Sequence, residues 1–472
     1  MNMYIVVRRR FWVCAVLAFC LILCSCGSFQ DAQQPGMGNE TEAEAADKAP
    51  EAVQQEGYGT LLASQGIALP VSVPSVYADV TGYVTGREKK VVFAGDRHGR
   101  MFEVIRSQDH EVVYTGRILS SQRDVLSGAL LSTGDFTPFD EPGVYYIRTD
   151  VGGQSYPFEI AADTYEKLFL NLLRNVSGAG MQETPEGVLD VSFGMHVMMY
   201  ALQCNGSLFE AAYEHLDKSE QDRQLVTQLL YMGKWLCSRQ QEDGSLYEDY
   251  EATAAFCGIM TMSRDMFGRY EAHVGEEYQK AVMAAWNWLE QQPCTTESAK
   301  NARFYAAVQL YRTEGDAAYR TIAETFLQEK KEDYTSEPFV FYGVLAYISA
   351  EKDTDRDLCT HMMQDIVDKV EADCEEIEQD YLFGVGTRSA EENMSHMLHL
   401  SFVNYLTPSK EYTAIIENTI QYMGGLNEHG ICYVGADGVW SDIEAIQGHP
   451  FEWSGILLLG MSNMLGNFSE GI

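Results

Sequence analysis

Positive charge is scarce in this chain: 33 lysines and arginines stand against 69 aspartates and glutamates in 472 residues, a net charge of −36. A surface of that sign repels nucleic acid and anionic lipid headgroups, so no nucleic-acid partner is expected and neutral ligands remain. No apolar run is long enough to span a bilayer: the first, Phe11 to Leu23, falls short and follows Arg8, Arg9 and Arg10, the pattern of an export signal. Metal-type and redox-type cysteine spacing is missing too. Past residue 26 the seven cysteines are Cys204, Cys237, Cys257, Cys294, Cys359, Cys374 and Cys432, scattered and mostly inside helical patterns. They read as small buried apolar residues. The absence of a fixed short repeat leans against a regular solenoid.

What is present divides the chain into four parts. The apolar run ends in Leu23-Cys24-Ser25-Cys26-Gly27, a lipobox-like sequence, so residues 1–26 read as a lipoprotein signal with Cys26 as the lipidated residue. Its removal leaves 30 basic against 69 acidic residues, a charge of −39. Residues 27–65 hold almost no large apolar side chains, cannot bury a core and read as a disordered acidic tether. The expected location is the outer face of a bacterial membrane, reached through the lipid anchor, where polysaccharides are the obvious neutral polymers.

Residues 66–162 carry short β-branched and aromatic runs, among them Lys90 to Ala94, Met101 to Ile105, Glu111 to Tyr114 and Gly143 to Arg148. Turn signals such as Thr133-Gly134-Asp135 and Glu141-Pro142-Gly143 separate them, which predicts an immunoglobulin-like β-sandwich. From Tyr165 the period becomes helical, with apolar stripes at 3–4 spacing over about a dozen segments and short loops between them. Antiparallel helix pairs in residues 163–472 can stack as a solenoid or close into a toroid.

Several stretches in this order resemble glycoside hydrolase family 9, the cellulase family with an immunoglobulin-like domain ahead of an (α/α)6 barrel. In the sandwich they are Gly134-Asp135-Phe136, Pro142-Gly143-Val144-Tyr145-Tyr146 and Ser155-Tyr156-Pro157-Phe158. In the helical part they are Trp235 to Gln240 with Asp243-Gly244-Ser245, Ala306 to Asp316, and Tyr422 to Asn427 with Cys432-Tyr433-Val434-Gly435. The resemblance runs over nearly everything after residue 66. It implies a mainly helical fold, a toroid of about twelve helices behind the sandwich, and hydrolysis of β-1,4-glucan or a related plant β-glycan.

The same resemblance breaks at the chemistry. The family carries its water-activating aspartates in a glycine-rich loop; here Asp190-Val191-Ser192 is followed at once by a helix, Val197 to Leu202, and the two aspartates are absent. Inverting hydrolysis needs one protonated and one ionised carboxyl, roughly 6.5–9.5 Å apart. The resemblance implies that the acid precedes the last helix, where Glu444 is the first candidate and Glu452 the second; aligned without an insertion, the position falls near Gln447. Candidate bases are Asp190, Glu183, Glu186 and His196. Trp440, Tyr433 and Tyr247 are candidate platforms for sugar rings, with His449 beside them. Two functions stay open, a glycan hydrolase with a rebuilt catalytic pair and a surface protein that binds glycan in the old cleft without cleaving it. No cofactor is expected; calcium occurs in the family, but no ligand spacing here identifies a site for it.

Overall fold

The computed structural model describes residues 75–95, 99–125, 127–151, 153–178, 180–214, 224–268, 272–377, 382–386, 389–434 and 450–469. The strands come first. One sheet has the order β1 (Val76–Tyr77), β3 (Lys90–Ala94), β7 (Leu130–Asp135) and β6 (Gln122–Arg123). The other runs β2 (Tyr83–Val84), β10 (Phe158–Ala161), β8 (Gly143–Thr149), β4 (Met101–Arg106) and β5 (Val112–Arg117), with β9 (Gly153–Gln154) paired to β8. All pairings are antiparallel except β10 with β2. β4 buries Phe102, Val104 and Ile105, and its register with β5 shifts between Val104 and Ile105, where β5 carries the extra residue Val113. Phe93, Phe102, Phe136, Tyr145 and Phe158 fill the space between the sheets.

Twelve helices follow among the described residues: α1 (Thr164–Gly178), α2 (Pro185–Glu214), α3 (Leu225–Arg239), α4 (Tyr250–Phe267), α5 (Ala272–Gln291), α6 (Glu297–Glu314), α7 (Ala317–Lys330), α8 (Pro338–Ile348), α9 (Arg356–Ile377), α10 (Ala390–Leu406), α11 (Lys410–Met423) and α12 (Pro450–Ser469). Burial divides them into two rings. In α8 every residue from Phe339 to Tyr347 is buried, and α4 buries the unbroken run Ala252 to Ser263. Helices apolar on all sides belong inside a larger body. In α7, by contrast, only Tyr319, Ala323 and Leu327 are buried, one stripe of an outer helix. The even-numbered helices therefore form the inner ring: α12 packs on α2, α2 on α4, α4 on α6 and α6 on α8. Between α8 and α10 the ring closes through Phe341, edge-on to His399 at 4.5 Å and to Phe402 at 6.2 Å. This is the (α/α)6 toroid behind a sandwich that the sequence leads one to expect.

Because successive helices are antiparallel, all inner helices start at one end of the toroid. Their caps gather there: Asp249 for α4, Thr296 for α6, Glu337 for α8 and a complete capping box of Ser389 with Glu392 for α10. One helix begins earlier than its apolar stripe suggests. The sequence places Asp190-Val191-Ser192 ahead of a helix, but α2 already starts at Pro185, where the fixed φ of proline suits a first helical position. Thr184 Oγ1 accepts from Gly187 N at 3.1 Å, so the start is capped as well.

The sandwich sits directly on the toroid. Thr164 Oγ1 donates to Tyr83 O at 3.0 Å, and Val80 N donates to Gly424 O at 3.0 Å just after α11. Glycine at 424 is a requirement of distance: a Cβ there would lie 2.1 Å from Asp79 Oδ1. Asp79 is fully buried in this seam, its Oδ1 taking Thr81 N at 2.9 Å and Thr81 Oγ1 at 2.6 Å. Desolvation pushes its carboxyl up to about 7 against those donors. Beside it Glu417 accepts from Tyr165 OH at 2.9 Å and from Arg87 at 3.5 Å.

Candidate functional site

Six inner helix N-termini converge on one end of the toroid, each with backbone N–H groups that seek acceptors and a partial positive charge. Acids and hydroxylated ligands are favoured at such an end. Besides the caps, acids of α2 and α12 occupy it, and Gly194 brings those two helices together. A Cβ on Gly194 would lie 2.6 Å from Phe451 Cβ, so only glycine lets α2 approach the first turn of α12 this closely.

The approach carries Asp190 to the head of α12. Its Oδ1 accepts from Glu452 N at 2.9 Å and from Phe451 N at 3.2 Å, and its Oδ2 lies 3.3 Å from Phe451 N. Asp190 thus caps a helix that lies 260 residues further on, and both its oxygens are engaged in doing so. Only 3% of it is exposed, and desolvation lifts its carboxyl to about 7 although the backbone donors pull the other way. Replacing Asp190 by Ala leaves the first-turn amides of α12 buried without an acceptor, an expected loss of about 2–3 kcal/mol of stability. Chemical denaturation compares it with Asp190→Asn, which keeps one acceptor and should lose less; equal stability of both variants and the wild type would mean that the cap contributes nothing.

Glu452, whose own N–H is one of those amides, is half-buried at the same end. Tyr342 of α8 donates its hydroxyl to Glu452 Oε1 at 2.9 Å. Burial is the main cause that holds the Glu452 carboxyl at about 7; the Tyr342 hydroxyl lowers it, while the charges of Asp190 and Glu391 raise it. A carboxyl with that value is protonated in part near neutrality, as a general acid must be.

Behind Tyr342 lies a packed column of rings. His196 stacks on it with centroids 4.5 Å apart, and His196 Nδ1 meets the Tyr305 hydroxyl at 3.0 Å. Phe193 and Phe339 complete the packing, edge to face at 5.0 Å. His196 is 3% exposed, and desolvation holds its pKa near 3. It is a neutral packing residue at any ordinary pH, and its ring is too buried to reach a substrate water.

The sugar-platform candidates fall at this end where they are described. Tyr247 precedes α4 and, with Glu248, adopts left-handed backbone at φ 56° and 55°, two adjacent strained positions for residues that carry side chains. Tyr433 packs edge-on against Trp453 of the first turn of α12, with centroids 6.4 Å apart. Of the base candidates, Glu183 pairs with Arg239 at 2.5 Å on the surface, and Glu186 lies in the first turn of α2. Glu444, Gln447, Trp440 and His449 lie outside the described residues, as does Cys26. Sequence reasoning missed Tyr342. Its signal is weak, one of two tyrosines (with Tyr347) in an otherwise apolar helix, Pro338 to Ile348. Among the described residues no group of three or more His, Cys, Asp or Glu is placed to hold a metal ion, and no helix is long and apolar enough to cross a membrane. Cys257, Cys374 and Cys432 are buried and the other four described cysteines half-buried.

Comparison with known proteins agrees with this architecture. Residues 72–154 match the family described as "Cellulase N-terminal ig-like domain". Endoglucanase D of Acetivibrio thermocellus is 21% identical, the match covering 76% of this chain and 75% of that protein. Among solved structures, a metagenome-derived glycoside hydrolase family 9 endoglucanase superposes with a TM-score of 0.63 at 15% identity, covering 82% of this chain and 98% of the other. AaCel9A, solved with a cellobiose-like isofagomine, gives 0.60 at 14% identity, covering 83% of this chain and 100% of the other. At such identities the superpositions show the fold. Together these features define a cellulase-type helical toroid behind an immunoglobulin-like domain. In its amino-terminal domain and in its fold the chain is similar to glycoside hydrolase family 9 endoglucanases.

Proposed function

We propose that this chain acts on β-1,4-glucan or a related plant β-glycan in a cleft at the N-terminal end of the inner helices, by slow inverting hydrolysis with Glu452 as proton donor. The observation that carries the proposal is the half-buried Glu452 carboxyl, held at about 7 within hydrogen-bond reach of Tyr342 at the convergence of six helix N-termini. Its place in the first turn of α12 adjoins the stretch before the last helix, from which the resemblance implies that the acid comes. Glu444, the first candidate by sequence, belongs to the same approach to α12 and is tested beside it. Tyr247 and Tyr433 flank this end, and with Trp440 and His449 they supply the stacking and polar contacts that hold a sugar chain.

A second reading, binding without turnover, is favoured by a different observation. Asp190 spends both oxygens on backbone N–H groups, so it is poorly placed to activate a water. Reducing-sugar release by the purified protein from β-glucans, xylan and mannan separates the two readings. Release from one of them supports hydrolysis; affinity without release supports the binding reading and sinks the catalytic one.

We propose a location on the outer face of a bacterial membrane, with the toroid held off the surface; the lipobox around Cys26 and the acidic stretch after it support this reading. Cys26→Ser should release the protein from the membrane fraction into the soluble one. Continued pelleting of the variant with membranes would exclude the lipid anchor.

A further inference from the structure

Tyr342 is a buried phenol on an inner helix whose hydroxyl meets the candidate acid, and its ring is gripped from several sides. His196 stacks on it at 4.5 Å and 29°, Phe193 tilts against it at 5.3 Å and Phe341 lies 5.9 Å away. His196 is fixed in turn by Tyr305 at 3.0 Å. With 1% of the residue exposed, neither ring nor hydroxyl can turn away from Glu452. This is more structure than a core tyrosine needs for its own hydrogen bond.

We propose that Tyr342, backed by His196 and Tyr305, is the positioning residue of the Glu452 carboxyl: it fixes the orientation of that group in the cleft and sets the pH at which the group releases its proton. The inference rests on the reading of Glu452 as proton donor, but its geometry stands apart from turnover.

Around Glu452, α2 contributes Asp190, α8 Tyr342 and α10 Glu391, whose charge raises the carboxyl as that of Asp190 does. Helices α1 and α11 also pack on α12; Tyr165 of α1 donates its hydroxyl to Glu417 of α11 at 2.9 Å. The Tyr342 hydroxyl lowers the carboxyl and so stabilises its ionised form. Burial keeps the phenol itself protonated, raised well above its ordinary value, so it remains a donor throughout the useful pH range. A hydrogen bond donated to a carboxylate favours the charged form, and its removal moves the midpoint upward.

Infrared difference spectroscopy of the full chain tests this directly. The protonated-carboxyl band that Glu452→Gln abolishes belongs to Glu452, and its disappearance with rising pH gives the midpoint. In Tyr342→Phe that midpoint should rise by about one pH unit. With 3-fluorotyrosine introduced at position 342, a stronger donor of nearly the same shape, it should fall. An unmoved midpoint in both proteins overturns the proposal, as does a fall in Tyr342→Phe. The fluorinated chain keeps the test alive should Tyr342→Phe fail to fold. Where the wild type cleaves glycan, the alkaline limb of its kcat profile should move with the midpoint and KM should stay within about twofold, because an alkaline limb reports the acid that must be protonated. A wild type without turnover fails the hydrolytic reading alone, and the two midpoints still decide the role of Tyr342.

Discussion

Glu452→Gln should lower turnover of the preferred β-glycan by about 10²–10⁴-fold while leaving oligosaccharide affinity within a few-fold of the wild type. Glutamine fills the same space and can still accept from the Tyr342 hydroxyl at Oε1, so the packing of α8 on α12 survives. What it cannot do is give a proton to a departing sugar oxygen. Loss in kcat with unchanged affinity is the signature of an interaction used only in the transition state. Glu444→Gln, measured alongside, assigns the donor, since the variant that loses turnover but keeps affinity identifies it. Trp440→Ala should show the converse, weakened affinity with a smaller effect on kcat, because stacking acts on substrate and transition state alike. Full activity in Glu452→Gln would place the donor elsewhere and return Glu444 to first place.

Much of the fold was readable from periodicity because its two halves use different periods. The strands expected at Lys90 to Ala94 and Gly143 to Arg148 are β3 and β8 to within a residue. The apolar stripes of α4 and α11 begin at Ala252 and Tyr412, and the helices add two residues before each, starting at Tyr250 and Lys410. Both additions follow caps, Asp249 and Ser409, that an apolar-stripe reading passes over. The twelve-residue error at the start of α2, expected at Val197 and found at Pro185, has the same origin. Pro185, Glu186 and Gly187 break the stripe, although proline and an acid are what a first turn favours.

The site was far less legible, since its contacts join residues remote in sequence. Asp190 and Phe451 are 261 positions apart, and Tyr342 and Glu452 110. Nothing local tells a reader that an aspartate inside one helix caps another, or that a tyrosine in the apolar segment Pro338 to Ile348 hydrogen-bonds an acid. The glycine that permits the approach, Gly194, reads from sequence as an ordinary helix blemish. Glu452 was visible only as the second of two acids before the last helix, and what raises it in rank is the partner it meets.

Thermal stability should fall as pH rises from 5 to 8, by roughly 5–10 °C in Tm. Four buried or half-buried carboxyls, Asp79, Asp190, Glu337 and Glu452, are each held at about 7 with desolvation as the leading cause. In the unfolded chain the same groups titrate near 4. Between about pH 4 and pH 7 the folded protein therefore binds protons that the unfolded chain has released, and stability declines with pH across that window. Each unit by which a group is raised is worth about 1.4 kcal/mol, so even a fraction of these shifts outweighs most single contacts. Asp140 and Asp109, held below their ordinary values by Lys89 and by the Glu111 backbone amide respectively, act in the opposite sense, but they are exposed and their effect falls below about pH 4. Self-repulsion among 69 acids has the same sign as the buried groups, and salt distinguishes the two. In 0.5 M NaCl the exposed charges are screened, whereas carboxyls sealed in the seam and at the head of α12 are not. The decline should therefore persist in salt and flatten in Asp79→Asn and Asp190→Asn, which remove a titrating group without changing side-chain size. A Tm that stays level or climbs from pH 5 to pH 8 in 0.5 M NaCl would show that these carboxyls are ionised in the folded protein, and with that Glu452 would lose the protonated form that a donor requires.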